Sequence, residues 1–257
     1  MRPAAAMLST LVCLAGAAAG SVQATTCTAR SGATPPRVVE LYTSEGCSSC
    51  PPADVWLSTL KGRADVIALG FHVTYWDRLG WPDRFANEAY TRRQHEIAAR
   101  HGSSSVYTPQ VVVDGLDWRG WPRLPQAAAA SSPSHSLSHS RPHSPPEVTL
   151  TRAADGQVQA HVSPAAGADA TQTLTAYWAV VEHQHTSRVR TGENAGETLR
   201  HDHVVRLHRT LPAFAAREGL TSRLDVPPGV AAHPRRIVFV VTSLPDARPL
   251  QAVALDC

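Results

Sequence analysis

The chain has 257 residues, 43% of them hydrophobic and 18% charged. That is the composition of one or two globular domains and excludes a disordered polypeptide. Basic residues outnumber acidic ones only 24 to 21, and all but Lys61 are arginines spread along the chain, which argues against a nucleic-acid protein.

Met1-Arg2 is a short basic start, followed by an uncharged run rich in Ala and Leu and by Val22-Gln23-Ala24, where small residues occupy the two positions read by signal peptidase. Residues 1–24 therefore read as a cleaved signal peptide that sends the protein to the periplasm or the medium. The apolar run is too short and too rich in Ala for a span, so no membrane segment is expected after cleavage. Of the five cysteines, Cys13 leaves with the signal. Cys27, Cys47, Cys50 and Cys257 remain, an even number in a compartment where disulfides persist.

In the mature chain, residues 25–36 form a polar lead-in and 37–42 (RVVELY) a buried strand. A Ser/Gly loop carries Cys47-Ser48-Ser49-Cys50, and Pro51-Pro52 opens a helix to about Leu60, where the missing proline N–H is harmless. A second buried strand covers 65–73, an aromatic loop holds Tyr75, Trp76 and Trp81, and a helix spans 83–101. A third strand over 109–114 ends at the hairpin signal Asp114-Gly115, a partner strand returns over 116–120, and 124–130 reads as a last helix. This order predicts an α/β layered domain over residues 25–130.

Residues 131–146 (SSPSHSLSHSRPHSPP) have almost nothing to bury and read as a linker. His135, His139 and His143 recur every four residues, but the surrounding prolines deny them a common helix face, and no metal site is assigned there. From 147 to 257 the pattern changes to about seven short strands with turn signals, at 147–151, 157–163, 171–183, 203–207, 222–226, 236–241 and 250–255, and one short helix over 211–218. A mainly-β, sandwich-like domain is expected.

A Cys-x-x-Cys pair between a strand and a helix has a chemical use. The helix N-terminus stabilises a thiolate on Cys47, and Cys50, one turn in, is placed to resolve a mixed disulfide. Thr108-Pro109 precedes a buried strand; a cis bond there would bring the Thr108 backbone beside the Cys pair for an extended substrate. Tyr75 and Trp76 offer a substrate wall. Cys47 and Cys50 are the catalytic candidates, Thr108 and Pro109 position substrate, and Cys27–Cys257 is the favoured structural disulfide among three pairings. Glu45, two residues before Cys47, would raise the thiol pKa. His72 reads as a satisfied core histidine. His183, His185, His201, His203 and His208 offer imidazoles suited to copper or zinc, yet surface histidines are the simpler reading, so no metal and no cofactor is assigned.

The order strand, Cys47-Ser-Ser-Cys50, helix, strand, helix, Thr108-Pro109, strand resembles the thioredoxin fold. Four stretches resemble a family of secreted bacterial proteins known as domain-of-unknown-function family 1223: VVELYTSEGCSSCPPAD (38–54), FHVTYWDRLGWPDRFA (71–86), SVYTPQVVVDG (105–115) and TGENAGETLRHDHVVR (191–206). Thr74 stands where an aspartate is expected and Glu197 where a basic residue is, so neither a loop carboxylate nor an anion-binding role carries over. The resemblance implies a thioredoxin-like domain followed by a β-rich one and leaves the activity open. An exported thiol–disulfide oxidoreductase-like protein acting on a protein thiol or disulfide partner is the leading expectation. An exported binding or scaffold protein, with the Cys pair as a brace, is the alternative.

Overall fold

The computed structural model describes residues 27–124, 145–164, 167 and 171–256. The expected signal peptide, nearly all of the Ser/Pro/His segment, the helix beyond Leu124 and Cys257 lie outside the described residues. The first part of the chain forms β1 (Cys27–Arg30), β2 (Arg37–Thr43), α1 (Pro51–Ser58), β3 (Val66–His72), a 3-10 turn at Asp77–Leu79, α2 (Glu88–Arg100), β4 (Gln110–Val113) and β5 (Leu116–Asp117). The second part forms β6 (Glu147–Arg152), β7 (Val158–Ser163), β8 (Thr173–Glu182), β9 (His185–Arg188), β10 (Thr198–His201), β11 (Val204–Thr210), β12 (Phe214–Ala215), β13 (Leu220–Leu224), β14 (Arg235–Ser243) and β15 (Pro249–Leu255).

Local chemistry accounts for the boundaries. Pro51 and Pro52 fill the first turn of α1, and the Asn87 side chain caps α2 by accepting the Ala89 N–H at 2.9 Å. Helix α2 thus starts at Glu88 rather than at residue 83, because Asn87 is extended. Asp114 and Gly115 both take positive φ between β4 and β5, as a two-residue hairpin turn requires.

The expectation of an α/β thioredoxin-like domain followed by a β-sandwich is overturned. Among the described residues two α-helices stand against fifteen strands. A single nine-stranded sheet, in the order β15-β14-β8-β11-β3-β2-β4-β5 with β12 beside β8, takes strands from both parts of the chain. A four-stranded sheet, β1-β6-β7-β13, is the second layer, and β9-β10 is a separate hairpin. The 211–218 segment is not helical either: Phe214 and Ala215 pair with Leu174 and Thr173 of β8.

The join lies between β3 and β11, which meet in parallel at Gly70 and Val204. The Gly70 N–H donates to the His203 carbonyl at 2.7 Å. A Cβ on residue 70 would stand 3.3 Å from that same oxygen, so glycine permits the close approach.

Strand alternation divides the core. Tyr177, Ala179 and Val181 of β8 face a cluster with Tyr42, Phe71 and α2 residues Tyr90 and Ile97. Leu174, Ala176, Trp178 and Val180 face the second sheet through Val148, Leu150 and Val162. On β2 and β4, Val39, Leu41, Val111 and Val113 pack on Trp56 and Leu57 of α1.

One ion pair lies inside the first cluster. Arg93 donates to Glu40 Oε1 at 2.6 Å, and the Tyr42 hydroxyl donates to Glu40 Oε2 at 2.7 Å. Burial pushes the Glu40 carboxyl up, but the Arg93 charge and these hydrogen bonds outweigh it and leave the group below its ordinary range. Arg93→Ala is expected to lower unfolding stability by about 3–5 kcal/mol, because Glu40 stays buried without its cation. The double variant Glu40→Gln/Arg93→Met should recover more than half of that in denaturant titrations; equal losses would refute the account.

His208 packs at a tilt against Tyr177 and edge-on to Phe71. Burial first and the Arg93 charge second press its pKa from 6.5 to about 3. The unfolded chain takes up this proton below pH 6.5 while the folded one does not until about 3, so acid removes stability across that window. His208→Phe should therefore lose less stability than wild type between pH 7 and 5; identical losses would exclude the assignment.

Candidate functional site

The Cys loop leaves the C-terminal end of β2 and runs into α1. Cys47 and Cys50 form a disulfide, and Cys50 is the N-cap residue of α1. Both cysteines are fully buried, while Ser48 and Ser49 between them are exposed. The Cys47 sulfur accepts a hydrogen bond from the Thr108 hydroxyl at 3.3 Å and lies 3.3 Å from the Ser49 hydroxyl. The Trp76 indole N–H donates to the same Thr108 oxygen at 2.7 Å. Thr108–Pro109 is cis. Cys47, Cys50, Thr108, Pro109 and Trp76 thus come together at one place.

Tyr75 is half-buried beside Trp76, and its hydroxyl donates to Gln94 Oε1 at 3.2 Å. Gln94, on α2, is fully buried and donates to the Tyr107 carbonyl and to Gln110, each at 2.8 Å. It holds both the aromatic loop and the segment before Pro109. Nothing in the sequence marks it, since glutamine on a helix ordinarily faces water. Cys27 is disulfide-bonded; its expected partner, Cys257, lies outside the described residues.

The loop between β9 and β10 covers the Cys loop. Asn194 is buried, and its amide donates to the Glu45 carbonyl at 2.9 Å and the Cys47 carbonyl at 3.0 Å. The Glu193 carboxylate accepts the Ser48 N–H at 3.0 Å. Thr191 bonds the Gly80 carbonyl, and Gly192 sits against Trp81. These contacts give the 191–197 stretch a clear structural task.

Beneath the disulfide lies a group of buried charges. Glu45, Asp54, His72, Asp83 and His201 are all nearly inaccessible. Asp83 Oδ2 lies 2.6 Å from His72 Nδ1 and accepts the Glu45 N–H at 2.8 Å; Oδ1 accepts the Phe85 N–H at 2.9 Å. Burial raises this carboxyl, but His72 and the two N–H groups bring it down to about 2. His201 stands between two carboxylates, with Nε2 3.2 Å from Glu45 Oε1 and Nδ1 3.7 Å from Asp54 Oδ1. Neither ring nitrogen makes an aligned hydrogen bond. Burial depresses the His201 pKa, yet Asp54 and Glu45 outweigh it and lift it to about 10. Glu45 also accepts the Trp81 indole N–H at 2.8 Å. Its charge is directed to His201 and Trp81, so the expected repulsion of a Cys47 thiolate is offset.

The histidines taken for surface residues are a correction. His183, His185, His201 and His203 are buried, because alternation along β9 and β10 turns His185 and His201 inward. His183 meets His203 edge-on at 4.6 Å, and His185 stacks on His233 at 3.8 Å. His201 instead meets His72 edge-on at 5.0 Å, so the four do not form one ligand set. His72, read as a core histidine, is buried with Asp83 as its partner, and Thr74 donates to Glu88 at 2.7 Å. Among the described residues no helix is long and apolar enough to cross a membrane.

With this geometry in place, the comparisons identify the chain. The family described as "Protein of unknown function (DUF1223)" matches residues 38–242. The match covers most of the sequence, and the protein belongs to that family. No curated protein matches it. A crystal structure of protein AGR_C_4864 from Agrobacterium tumefaciens is similar with a TM-score of 0.57 and 22% identity, covering 85% of this chain and 93% of that one; it supports the fold alone. A structure of HBP35 of Porphyromonas gingivalis aligns at a TM-score of 0.49 and 13% identity, over 86% of this chain and 75% of that one.

Asn194→Ala removes the only side chain seen bonding both buried carbonyls of the Cys loop among the described residues. The expected loss is about 1–3 kcal/mol in denaturant unfolding, since the buried Glu45 carbonyl loses its partner and the Cys47 carbonyl keeps only the Cys50 N–H. No loss would mean that the clamp is not felt.

Proposed function

We propose that this protein is an exported thiol–disulfide exchange protein in which Cys47 and Cys50 are the redox pair. The observation that carries the reading is the hydrogen bond from the Thr108 hydroxyl to the Cys47 sulfur, at the mouth of α1. A hydroxyl donor and a helix N-terminus both favour the thiolate over the thiol, and the Glu45 charge that would oppose it is paired with His201.

In the exchange, one thiolate of a partner dithiol attacks the Cys47 sulfur. The partner–Cys47 bond forms, the Cys47–Cys50 bond breaks, and Cys50 leaves as a thiolate. The partner's second thiolate then attacks its own bonded sulfur and expels Cys47. The partner leaves oxidised by two electrons, and Cys47 and Cys50 are reduced and take up two protons. Trp76 and Tyr75 flank the approach, and the buried Cys47 sulfur must become accessible before it is attacked. The oxidising compartment that such a pair needs is the one to which residues 1–24 would direct the chain.

The burial of both cysteines favours a second reading, in which the disulfide is a permanent brace of a non-enzymatic binding protein. The reduction potential separates the two. An exchanging centre is expected at about −120 to −270 mV, whereas a value below about −300 mV would establish the brace. Wild type should also promote oxidative refolding of a reduced substrate protein, and Cys47→Ser should not; equal activity of the two would end the exchange reading.

A further inference from the structure

We propose that Asp54, His72 and His201 bind a divalent first-row transition ion such as Zn2+ beneath the Cys loop. One ligand atom from each of these three side chains lies within 4.8 Å of the other two, and all three side chains are buried. A metal holding nitrogen and oxygen at about 2.0–2.2 Å would draw them together by a small side-chain movement.

Three observations point to an ion rather than to simple packing. Two of the three ligands are gripped on the far atom, as metal ligands are. His72 Nδ1 is held by Asp83 at 2.6 Å, which leaves Nε2 as its available ligand atom. Asp54 Oδ2 accepts the Thr43 hydroxyl at 2.9 Å, and Oδ1 faces His201. His201 Nε2 lies 3.2 Å from Glu45 Oε1 and Nδ1 3.7 Å from Asp54 Oδ1, neither as an aligned hydrogen bond. Secondly, His201 is 2% exposed and neither ring nitrogen has an aligned hydrogen-bond partner, an orphaned state that coordination of Nδ1 resolves. Thirdly, three buried carboxylates, Glu45, Asp54 and Asp83, meet only imidazoles here among the described ion pairs. Two imidazoles carry at most two positive charges against those three carboxylates, and a dication taking the place of the His201 proton adds to the compensation.

Two imidazoles and one carboxylate suit zinc or ferrous iron better than calcium or magnesium, which prefer oxygen alone. The three ligands come from α1, the end of β3 and β10. The ion ties the helix of the Cys pair to the hairpin that covers it, and any open coordination position is filled by water. The proposal does not depend on the exchange activity, because the ligands are not the cysteines.

The test uses the full-length, untagged protein with its disulfides intact, carrying His135→Gln, His139→Gln and His143→Gln so that the histidine tract cannot contribute. After chelator treatment, titration with Zn2+ is expected to show one equivalent bound, and Co2+ to give the visible absorption of a four- or five-coordinate site. Asp54→Asn, His72→Gln and His201→Gln should each weaken uptake at least tenfold, while His161→Gln, on an exposed strand position, leaves it unchanged. If a variant misfolds by circular dichroism, zinc-edge anomalous scattering from crystals of the tract variant replaces it, with a peak expected between the three side chains. Absence of uptake by the oxidised protein, uptake that appears only after reduction of the cysteines, or a peak elsewhere would overturn the assignment. Loss of refolding activity with metal uptake intact would count against the exchange reading alone.

Discussion

A carboxylate cannot remain ionised inside a protein without a partner, and this chain places Glu45, Asp54 and Asp83 within one buried patch beside its disulfide. The partners are drawn from distant sequence. His72 comes from β3, but His201 comes from the β9–β10 hairpin, about 150 residues beyond the Cys loop. The same hairpin supplies Asn194 and Glu193 to the loop backbone. The position of the second part of the chain over the first is therefore set by charge and hydrogen-bond satisfaction at the site as well as by strand pairing.

That arrangement gives the Cys loop an unusual degree of support. Its backbone is fixed by Asn194 from one side and by the Asp83 carboxylate from another, and its sulfur is touched by Thr108. Gln94 in turn fixes the strand entry that carries Thr108. Both sulfurs are buried, so reaction at either would need the loop to open first. The buried charges lie in three of the four stretches that resemble the family, residues 38–54, 71–86 and 191–206. The stretch at 71–86 supplies His72 and Asp83 to the same patch.

Much of the local structure was legible in the residues. The apolar runs of β2, β3 and β4, the proline-started α1 and the Asp114-Gly115 turn all follow from short-range rules, and Cys47, Cys50, Thr108 and Trp76 could be linked by chain order. The fold class was not legible. Strand β3 is apolar on both faces whether it lies at the edge of a small sheet or in the middle of a large one, and only Gly70 hints that another backbone comes close. The hairpin histidines misled for a similar reason. A polar alternating strand reads as exposed unless one knows that carboxylates wait on its inner side. Gln94 and Asn194 act through hydrogen bonds to backbone groups far away in sequence, which no periodicity reports.

The meeting of β3 and β11 at Gly70 has a consequence for the molecule as a physical object. Neither the residues before 125 nor those after 144 own a complete main sheet: the first set ends at an open β3 edge and the second at an open β11 edge. Each would present a row of unpaired backbone groups and one half of the shared apolar face. A polypeptide divided between those points would yield two mutually complementary fragments, each the natural template for the other, and neither a domain in its own right.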